Sequence, residues 1–385
     1  MRWLPLTALG FLGIWAVDAA SSDRDPAAPR LRDTAATAAP GAAQPDTFRR
    51  VGPVPDYAPV GYVVSHARLR QHAPRMAEAL DRHLGARHVV ETRQPSSADM
   101  PDNDLWLRDH QPIYVRNANG TLTAVRPLHP QPSRAQWMPL IPRPSILTKR
   151  LPLVHENGNL VTTGRHVFVS ERIFDDNARS TVEPELTAGG YLPRSSDATL
   201  GVLADALGRP VEDFVILPRM PSEATGHVDL LLMPLDDHTI VVPRIPAQAL
   251  RAPTTPGEQR LALQTRDFLD QVADTVEALD YRAVRLPMLP PIAVPSVDRP
   301  GEVVPAYLSP ANGLLLRTAR EAVVLMPSID PAQLEPSERA LNEEYVDEWR
   351  VGLQKHGWKM EAVDIGDLLP YLGLVRCVTA VVPAP

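Results

Sequence analysis

The order strand, strand, helix, strand occurs twice in the chain, and it is the feature that most constrains the fold. The two copies span 228–286 and 313–363, and a partial copy spans 61–125. Short apolar runs predict the strands, and apolar residues three and four apart predict the helices. The copies share little sequence, so the repetition is structural. Because helices alternate with strands, we expect an α/β fold.

The same patterns predict the remaining elements. Strands are expected at 61–65, 87–92 and 213–217, helices at 73–84, 200–207, 258–279 and 338–355, and hairpin turns at 119–120, 164 and 236–237. The segment 103–115 begins with alternating polar and apolar residues, which predicts a strand with one wet face. The Pro-rich segment 127–150 is expected to be irregular.

The first fifty residues show a targeting pattern followed by a linker pattern. Arg2 precedes an apolar run at 4–17, and small residues follow at 19–21, which predicts a signal peptide at 1–20. An uncleaved anchor is the alternative, although the run is short for a span of about 20 residues. Residues 21–50 lack apolar periodicity and predict a disordered linker. We therefore expect an exported protein, periplasmic or secreted, with one catalytic domain at 51–385 and no stable membrane span once the signal is removed.

Charge and cysteine content narrow the function classes. The 385 residues carry a net charge of -7 and a pI near 5.9, which argues against a nucleic-acid partner. The single cysteine, Cys377, cannot form an intramolecular disulfide. It is therefore a buried inert residue, an intermolecular partner or a working thiol.

The stretch 225–229 carries the strongest chemical signal. It predicts a turn leading into a buried strand, and His227 and Asp229 would then leave on one face because they are two residues apart. A general acid/base beside a fixed carboxylate is a catalytic arrangement if a nucleophile reaches it, and Cys377 is the only thiol. Taken singly, these residues, together with Asp109 and Glu156, are more often structural or surface residues than catalytic ones.

In combination they resemble a known family. The motifs occur in the order Asn103-Asp104-x-Trp106-x-Arg108-Asp109-x-x-Pro112, Glu156-x-Gly158-Asn159, Gly226-His227-x-Asp229 and Arg376-Cys377-Val378-Thr379. This set resembles the agmatine deiminases and the bacterial peptidyl-arginine deiminases, over residues from about 60 to 380. The resemblance implies the pentein fold, a five-bladed α/β propeller built around a central cleft.

The resemblance also implies a chemistry and a role for each motif residue. The nucleophile would be Cys377, and His227 would act as general acid and then as general base. Carboxylates match the planar, permanently charged guanidinium group, so two aspartates would hold the substrate. The implied catalytic set is Cys377, His227, Asp109, Asp229 and Glu156, and the implied substrate-binding set is Asp109, Asp229, Trp106 and Arg108. The substrate would be a small guanidino compound or an arginine-containing peptide, and the reaction requires no metal and no organic cofactor.

Departures from the family pattern keep alternatives open. Gln111 and Asn157 stand where the family usually has glycine, and Arg376 stands where it commonly has histidine. These changes leave a non-catalytic exported guanidinium-binding protein as one alternative, and an amidinotransferase of the same superfamily is another. Export favours peptidyl-arginine as substrate, whereas the motif set favours agmatine. No Gly-x-Ser-x-Gly or His-Glu-x-x-His pattern supports a serine hydrolase or a zinc enzyme.

Overall fold

The structure is a computed structural model of the chain. It describes residues 51–66, 68–85, 88–92, 106–128, 146–180, 192–252, 255–296, 301–334, 336–365, 368–369 and 374–384. These residues all belong to one unit, Arg49–Pro385. The predicted signal peptide and linker lie outside the described residues. Within the described ranges, no helix has both the length and the apolar character needed to cross a membrane.

The described residues form alternating strands and helices. The strands are β1 Gly52–Pro53, β2 Val60–His66, β3 Val89–Thr92, β4 Ile113–Arg116, β5 Leu122–Leu128, β6 Leu147–Val154, β7 Leu160–Thr162, β8 Val167–Ser170, β9 Phe214–Leu217, β10 Met233–Pro234, β11 Thr239–Arg244, β12 Arg282–Pro287, β13 Ile292–Pro295, β14 Val303–Ala306, β15 Leu314–Arg317, β16 Ala322–Ser328, β17 Lys359–Asp364 and β18 Thr379–Pro383. The helices are α1 Leu69–His72, α2 Pro74–Leu84, α3 Leu107–His110, α4 Arg172–Arg179, α5 Ser196–Leu207, α6 Pro256–Ala278 and α7 Pro336–Gln354.

Five mixed sheets share one pairing scheme. In each sheet an antiparallel pair is followed by a third strand that runs parallel to the second. The five sets are β4-β5-β6, β7-β8-β9, β10-β11-β12, β15-β16-β17 and β18-β2-β3, with β1 added at the edge of the first. Parallel pairs need a crossover, and α2, α6 and α7 each connect such a pair. The predicted α/β class is confirmed, with mixed sheets, and the five-bladed propeller stays a prediction.

The last strand of the chain completes the sheet that begins near residue 60. Strand β18 pairs antiparallel with β2, so that Val381 lies opposite Val63. Val63 and Val64 have no exposed surface, because helices and neighbouring strands cover both faces of this sheet. This pairing holds the segment of Cys377 against the first strands of the fold.

Local signals explain where the helices begin and end. Helix α6 begins at a capping box, in which the Thr255 side chain accepts the backbone N–H of Glu258 and the Glu258 side chain accepts that of Thr255. Helix α5 is capped after Leu207 by Gly208, whose φ of 63° lies in the left-handed region that glycine adopts most easily. The predicted hairpins at 119–120, 164 and 236–237 are also found.

Three predicted segments were wrong. Residues 107–110 form helix α3 rather than a strand, and 147–150 belong to strand β6 rather than to an irregular segment. Residues 228–230 form a 3-10 turn, so the strand predicted there shrinks to the two residues of β10. At 107–110 and 228–230, apolar content indicated burial but did not distinguish a turn or short helix from a strand. The β13–β14 hairpin and strand β18 were not anticipated.

Candidate active site

Each of the five mixed sheets carries a polar residue in the short segment just before its first antiparallel strand. The five segments are α3 before β4, the turn Asn157–Asn159 before β7, the turn Val228–Leu230 before β10, the turn Pro310–Asn312 before β15 and the turn 375–378 before β18. Four of them hold the residues that the motifs singled out. The fifth holds Asn312, which the motifs did not include.

His227 is held between two carboxylates. Its side chain is buried, with Nε2 3.1 Å from Glu156 Oε2 and Nδ1 3.8 Å from Asp109 Oδ1. Burial alone would lower the pKa of His227, but the charge of Asp109 and the hydrogen bond and charge of Glu156 outweigh it and raise that pKa to about 9. The ring is therefore an imidazolium at neutral pH and can donate a proton as a general acid.

Gly158 provides the space that the His227 ring occupies. A Cβ atom at Gly158 would lie 2.3 Å from His227 Nδ1, which is far inside van der Waals contact. Glycine at this position therefore allows the backbone before β7 to pack directly on the imidazole.

Asp109 is the carboxylate of the site whose negative charge is least balanced by neighbouring positive charges. Burial raises its pKa, the charge of His227 opposes that shift, and the charge of Glu156 adds to it. No arginine or lysine of the described residues forms an ion pair with Asp109. A cation that entered this position would therefore favour the ionised carboxylate.

Arg172 at the start of α4 holds Glu156 in place. Its Nη1 lies 2.9 Å from Glu156 Oε2 and its Nε lies 3.2 Å from Asp176 Oδ2. The guanidinium also donates to the backbone oxygen of Thr225, just before His227. The sequence analysis missed Arg172, because no motif or spacing links α4 to the two segments that it bridges.

His227 and Asp229 do not share a strand as predicted. His227 has an extended backbone just before the 3-10 turn, and Asp229 lies within that turn. Asp229 is fully buried, and its Oδ1 accepts a hydrogen bond of 3.1 Å from Asn312 Nδ2.

Two internal arginines lie near the other oxygen of Asp229, which accepts no hydrogen bond from the described residues. Asp229 Oδ2 lies 3.6 Å from Arg108 Nε and 3.7 Å from Arg376 Nε. Arg376 Nη2 also pairs with Asp56 Oδ2 at 2.8 Å, and Arg108 Nη2 donates to the Leu160 oxygen at 3.1 Å. Both arginines are buried. Arg108, predicted to bind substrate, thus directs its donors to groups inside the protein, while Trp106 is half-buried and packs against the main core.

Two of the residues that depart from the family pattern, Gln111 and Arg376, have a hydrogen-bond or ion-pair partner inside the protein. Gln111 Oε1 accepts the Val381 backbone N–H at 2.9 Å and so ties α3 to strand β18. Asn157 is buried and lines a cavity together with Asp56, Arg108 and Arg376. This cavity is not lined by Asp109, His227 or Cys377, so it lies beside the arginine pair and not at the candidate catalytic groups.

Cys377 lies at the edge of the core and is half-buried. Its Sγ lies 3.4 Å from Asn312 Oδ1, and its backbone oxygen accepts the Arg108 N–H at 3.1 Å. Burial, and then the charges of Asp229 and Asp109, raise the pKa of the Cys377 thiol. The thiol is therefore neutral in the absence of a bound cation.

The carboxylates and the imidazole of this site could also hold a metal ion. One ligand atom each from Asp109, Glu156 and His227 lie within 4.8 Å of one another. A metal would compete with the proton of His227, because a coordinating imidazole must be neutral.

Comparisons of the sequence found no relative. No family model matches the chain, and no curated protein matches it.

Comparisons of the fold found solved structures of deiminases. A candidate arginine deiminase from Porphyromonas gingivalis matches with a TM-score of 0.59 and 19% identity over 86% of this chain and 97% of that chain. The agmatine deiminase of Enterococcus faecalis matches with a TM-score of 0.57 and 13% identity over 90% and 99% of the two chains. The agmatine deiminase of C. jejuni matches with a TM-score of 0.53 and 13% identity over 87% and 96%. The resemblance noted in the motifs is thus confirmed for the fold: the chain has the α/β pentein fold of mixed sheets.

Proposed function

We propose that this chain is a guanidino-group deiminase, a hydrolase that converts the guanidino group of agmatine or of a peptidyl arginine into a ureido group and ammonia. The observation that carries the proposal is His227, held as an imidazolium between Asp109 and Glu156. These residues, Asp229 and the thiol of Cys377 all come from equivalent segments of the five-sheet scheme. The pentein fold of known deiminases supports the same assignment.

The five sheets would be the five blades of a propeller around a central cleft. Their common pairing scheme supports this arrangement, as does the pairing of β18 with β2, which would close the ring. The five segments before the first strands would then line one end of the cleft.

The proposed reaction begins at the guanidinium carbon. Asp109 holds the planar cation by charge-assisted hydrogen bonds, and Asp229 contributes negative charge beside it. The cation favours the thiolate of Cys377, whose proton passes to solvent, and the sulfur attacks the central carbon to form a tetrahedral adduct. His227 gives its proton to one amino group, the carbon–nitrogen bond breaks and ammonia leaves. A covalent thiouronium on Cys377 remains.

Water completes the proposed cycle. The neutral His227 takes a proton from a water molecule, whose oxygen attacks the thiouronium carbon. The carbon–sulfur bond then breaks, the sulfur leaves with its electron pair and takes up the remaining hydroxyl proton, and the ureido product is released. Glu156 keeps His227 oriented through both steps, and Arg172 keeps Glu156 in place. The steps consume one water and release one ammonia, and they require no metal.

Substrate and location are linked in this proposal. The N-terminal pattern supports export, and an exported enzyme would meet arginine in peptides or proteins. The motif set supports agmatine instead, so both substrates belong in the test.

The test is ureido-product formation from agmatine, free arginine and an arginine peptide, with the native protein and Cys377→Ser side by side. We expect the native protein to release ureido product and ammonia without an amine acceptor, with a chelator present, and Cys377→Ser to release none. Dependence on an added amine would instead identify an amidinotransferase. Native protein that acts on none of the three would contradict the hydrolase proposal.

A non-catalytic guanidinium-binding protein is the second candidate. It is favoured by the two internal arginines that lie 3.6 and 3.7 Å from Asp229 Oδ2 and by the neutral thiol. Under this function, agmatine binds equally well to the native protein and to Cys377→Ser, and neither forms a product.

A further inference from the structure

The loop 221–226, which leads into His227, has an unusual backbone. Ser222 has a φ of 57°, and Gly226 has a φ of 65°. A positive φ at a residue other than glycine is uncommon, and such residues cluster where function requires a fixed backbone. Because Ser222 does not favour this conformation by itself, other contacts of the loop must hold it.

Glu223 accepts the N–H groups of this loop. Its Oε1 accepts the backbone N–H of Thr225 at 2.9 Å and the Thr225 hydroxyl at 2.8 Å, and its Oε2 accepts the backbone N–H of Gly226. One carboxylate has two acceptor oxygens, so it satisfies three donors that follow it in the chain. The Thr225 hydroxyl oxygen in turn accepts the backbone N–H of His227 at 3.3 Å. A continuous series of hydrogen bonds thus joins Glu223 to the backbone of His227.

The carbonyl groups of the same loop are held from the start of α4. The buried Ser170 hydroxyl donates to the Gly226 oxygen at 2.5 Å, and the Arg172 guanidinium donates to the Thr225 oxygen. Since a buried backbone group is costly without a partner, both sides of the loop must be satisfied. The carbonyl side depends on α4, and the N–H side depends on Glu223.

The His227 ring has little freedom to compensate for a displaced backbone. Its Nε2 donates to Glu156 at 3.1 Å, and a Cβ atom at Gly158 would lie 2.3 Å from its Nδ1. The ring is therefore confined between a carboxylate and the backbone before β7. Since misplacing a catalytic group by about 1 Å costs about 100-fold in rate, the backbone of His227 must be placed as accurately as its ring.

We propose that Glu223 is a positioning residue that holds the loop 221–226 in shape and thereby aligns the His227 ring with Glu156. The proposal rests on the proposed deiminase function for its purpose, because the aligned ring is the proposed general acid and base. Its physical content, a loop whose shape sets the contact between His227 and Glu156, is independent of turnover.

Two pairs of variants separate positioning from a general loss of structure. Glu223→Ala removes all three acceptor contacts, and Glu223→Gln keeps one acceptor oxygen. Thr225→Val replaces the hydroxyl by a methyl group of similar size and changes no charge, whereas Thr225→Ser keeps the hydroxyl. The matched control is Glu171→Ala, which removes an exposed carboxylate that also accepts a backbone N–H, that of Arg219 at 3.2 Å. Circular dichroism checks that each variant is folded.

Steady-state kinetics give the first readout. Glu223→Ala should lower kcat by about 10- to 100-fold and Thr225→Val by about threefold to tenfold, with KM nearly unchanged. KM should stay because the substrate is held by Asp109 and Asp229, which lie outside the loop. Glu223→Gln should fall between the native protein and Glu223→Ala, while Thr225→Ser and Glu171→Ala should keep the native kcat.

Proton NMR gives a second readout that needs no turnover. The Nε2 proton of His227, donated to the carboxylate of Glu156, should give a downfield signal, which is assigned by its loss in His227→Gln. We expect that signal to be lost or moved upfield in Glu223→Ala and Thr225→Val. It should be kept in Thr225→Ser and Glu171→Ala. If Glu223→Ala does not fold, Thr225→Val carries the test.

Four results would overturn the proposal: a native protein without the downfield signal, Glu223→Ala and Thr225→Val with the native signal, an equal loss in Glu171→Ala, or a Glu223→Ala variant that raises KM but keeps kcat. The deiminase assay separates this proposal from the function. Loss of the signal in Glu223→Ala and Thr225→Val, without any ureido product from the native protein, would leave the role of Glu223 standing and remove the function. Product formation by the native protein, with the native signal in both variants, would do the reverse.

Discussion

The two halves of the candidate site handle charge in opposite ways. The His227 half consists of Asp109, Glu156 and His227, and its aspartate has no arginine or lysine partner among the described residues. The Asp229 half consists of Asp229, Asp56, Arg108 and Arg376, so two buried guanidinium groups already match two carboxylates. Because a buried charge is costly until it is paired, the incomplete half is the one that gains most from an incoming cation. The substrate guanidinium should therefore depend on Asp109 for binding, while Asp229 has a larger share in stability.

The largest expected effect is on stability, from Asp229→Asn. This change leaves Arg108 and Arg376 buried with one counter-charge fewer, so the free energy of unfolding should fall by about 3–5 kcal/mol. Urea denaturation measures it. The control Asp175→Asn breaks the exposed ion pair with Arg219 and should cost about 0–1 kcal/mol. Equal costs in the two variants would show that the arginine pair does not need Asp229.

Asp109→Asn should separate activity from stability. Losing the carboxylate that grips the cation should lower kcat/KM by about 30- to 5000-fold, equivalent to about 2–5 kcal/mol. The free energy of unfolding at pH 8 should not fall, because burial raises the pKa of Asp109 and the folded state therefore already disfavours its charge. Steady-state kinetics and urea denaturation measure the two effects. If Asp109→Asn unfolds easily but keeps its kcat/KM, then Asp109 serves stability and not substrate binding, which contradicts the comparison.

Gly158→Ala should lower activity by displacing the His227 ring, without changing any charge in the site. The added methyl group would displace the imidazole, and a shift of about 1 Å at a catalytic group costs about 100-fold in kcat. The matched control is Gly164→Ala at the β7–β8 turn, where a Cβ would lie 1.9 Å from Asp237 Oδ1. The control should lose stability but keep kcat. If both variants keep kcat, the packing of Gly158 on His227 does not matter for the reaction.

The pH dependence of turnover should report the same half. With saturating substrate, when the bound cation has already ionised Cys377, kcat should fall on the basic side near pH 9, because His227 must be protonated to act as an acid and loses its proton there. On the acid side it should fall as Asp109 is protonated, at a pH above the ordinary aspartate range, since burial raises that pKa. Glu156→Gln removes a charge that supports the imidazolium, so the basic limb should move down by about one unit, or about 1.4 kcal/mol. If the basic limb of the Glu156→Gln profile stays where it is in the native protein, Glu156 does not support the imidazolium of His227.

The sequence identified the main candidate residues, but it was a poorer guide to the backbone conformation of the segments that carry them. Apolar periodicity located most helices and strands, because burial imposes that pattern. The 3-10 turn at 228–230 was missed, since a short, mostly apolar turn and a buried strand look alike in sequence. Asn312 could have been found by its place before β15. Arg172 could not, because only the packing of α4 brings it to Glu156.

The most direct test of the central claim is a search for the covalent intermediate. The native protein is mixed with agmatine or an arginine peptide, quenched with acid within a turnover, and its intact mass is measured. Cys377 is the only cysteine, so a thiouronium must lie there. We predict an added mass equal to the substrate minus ammonia in the native protein and none in Cys377→Ser. Ureido product released by Cys377→Ser at the native rate, with no adduct in either protein, would contradict the account.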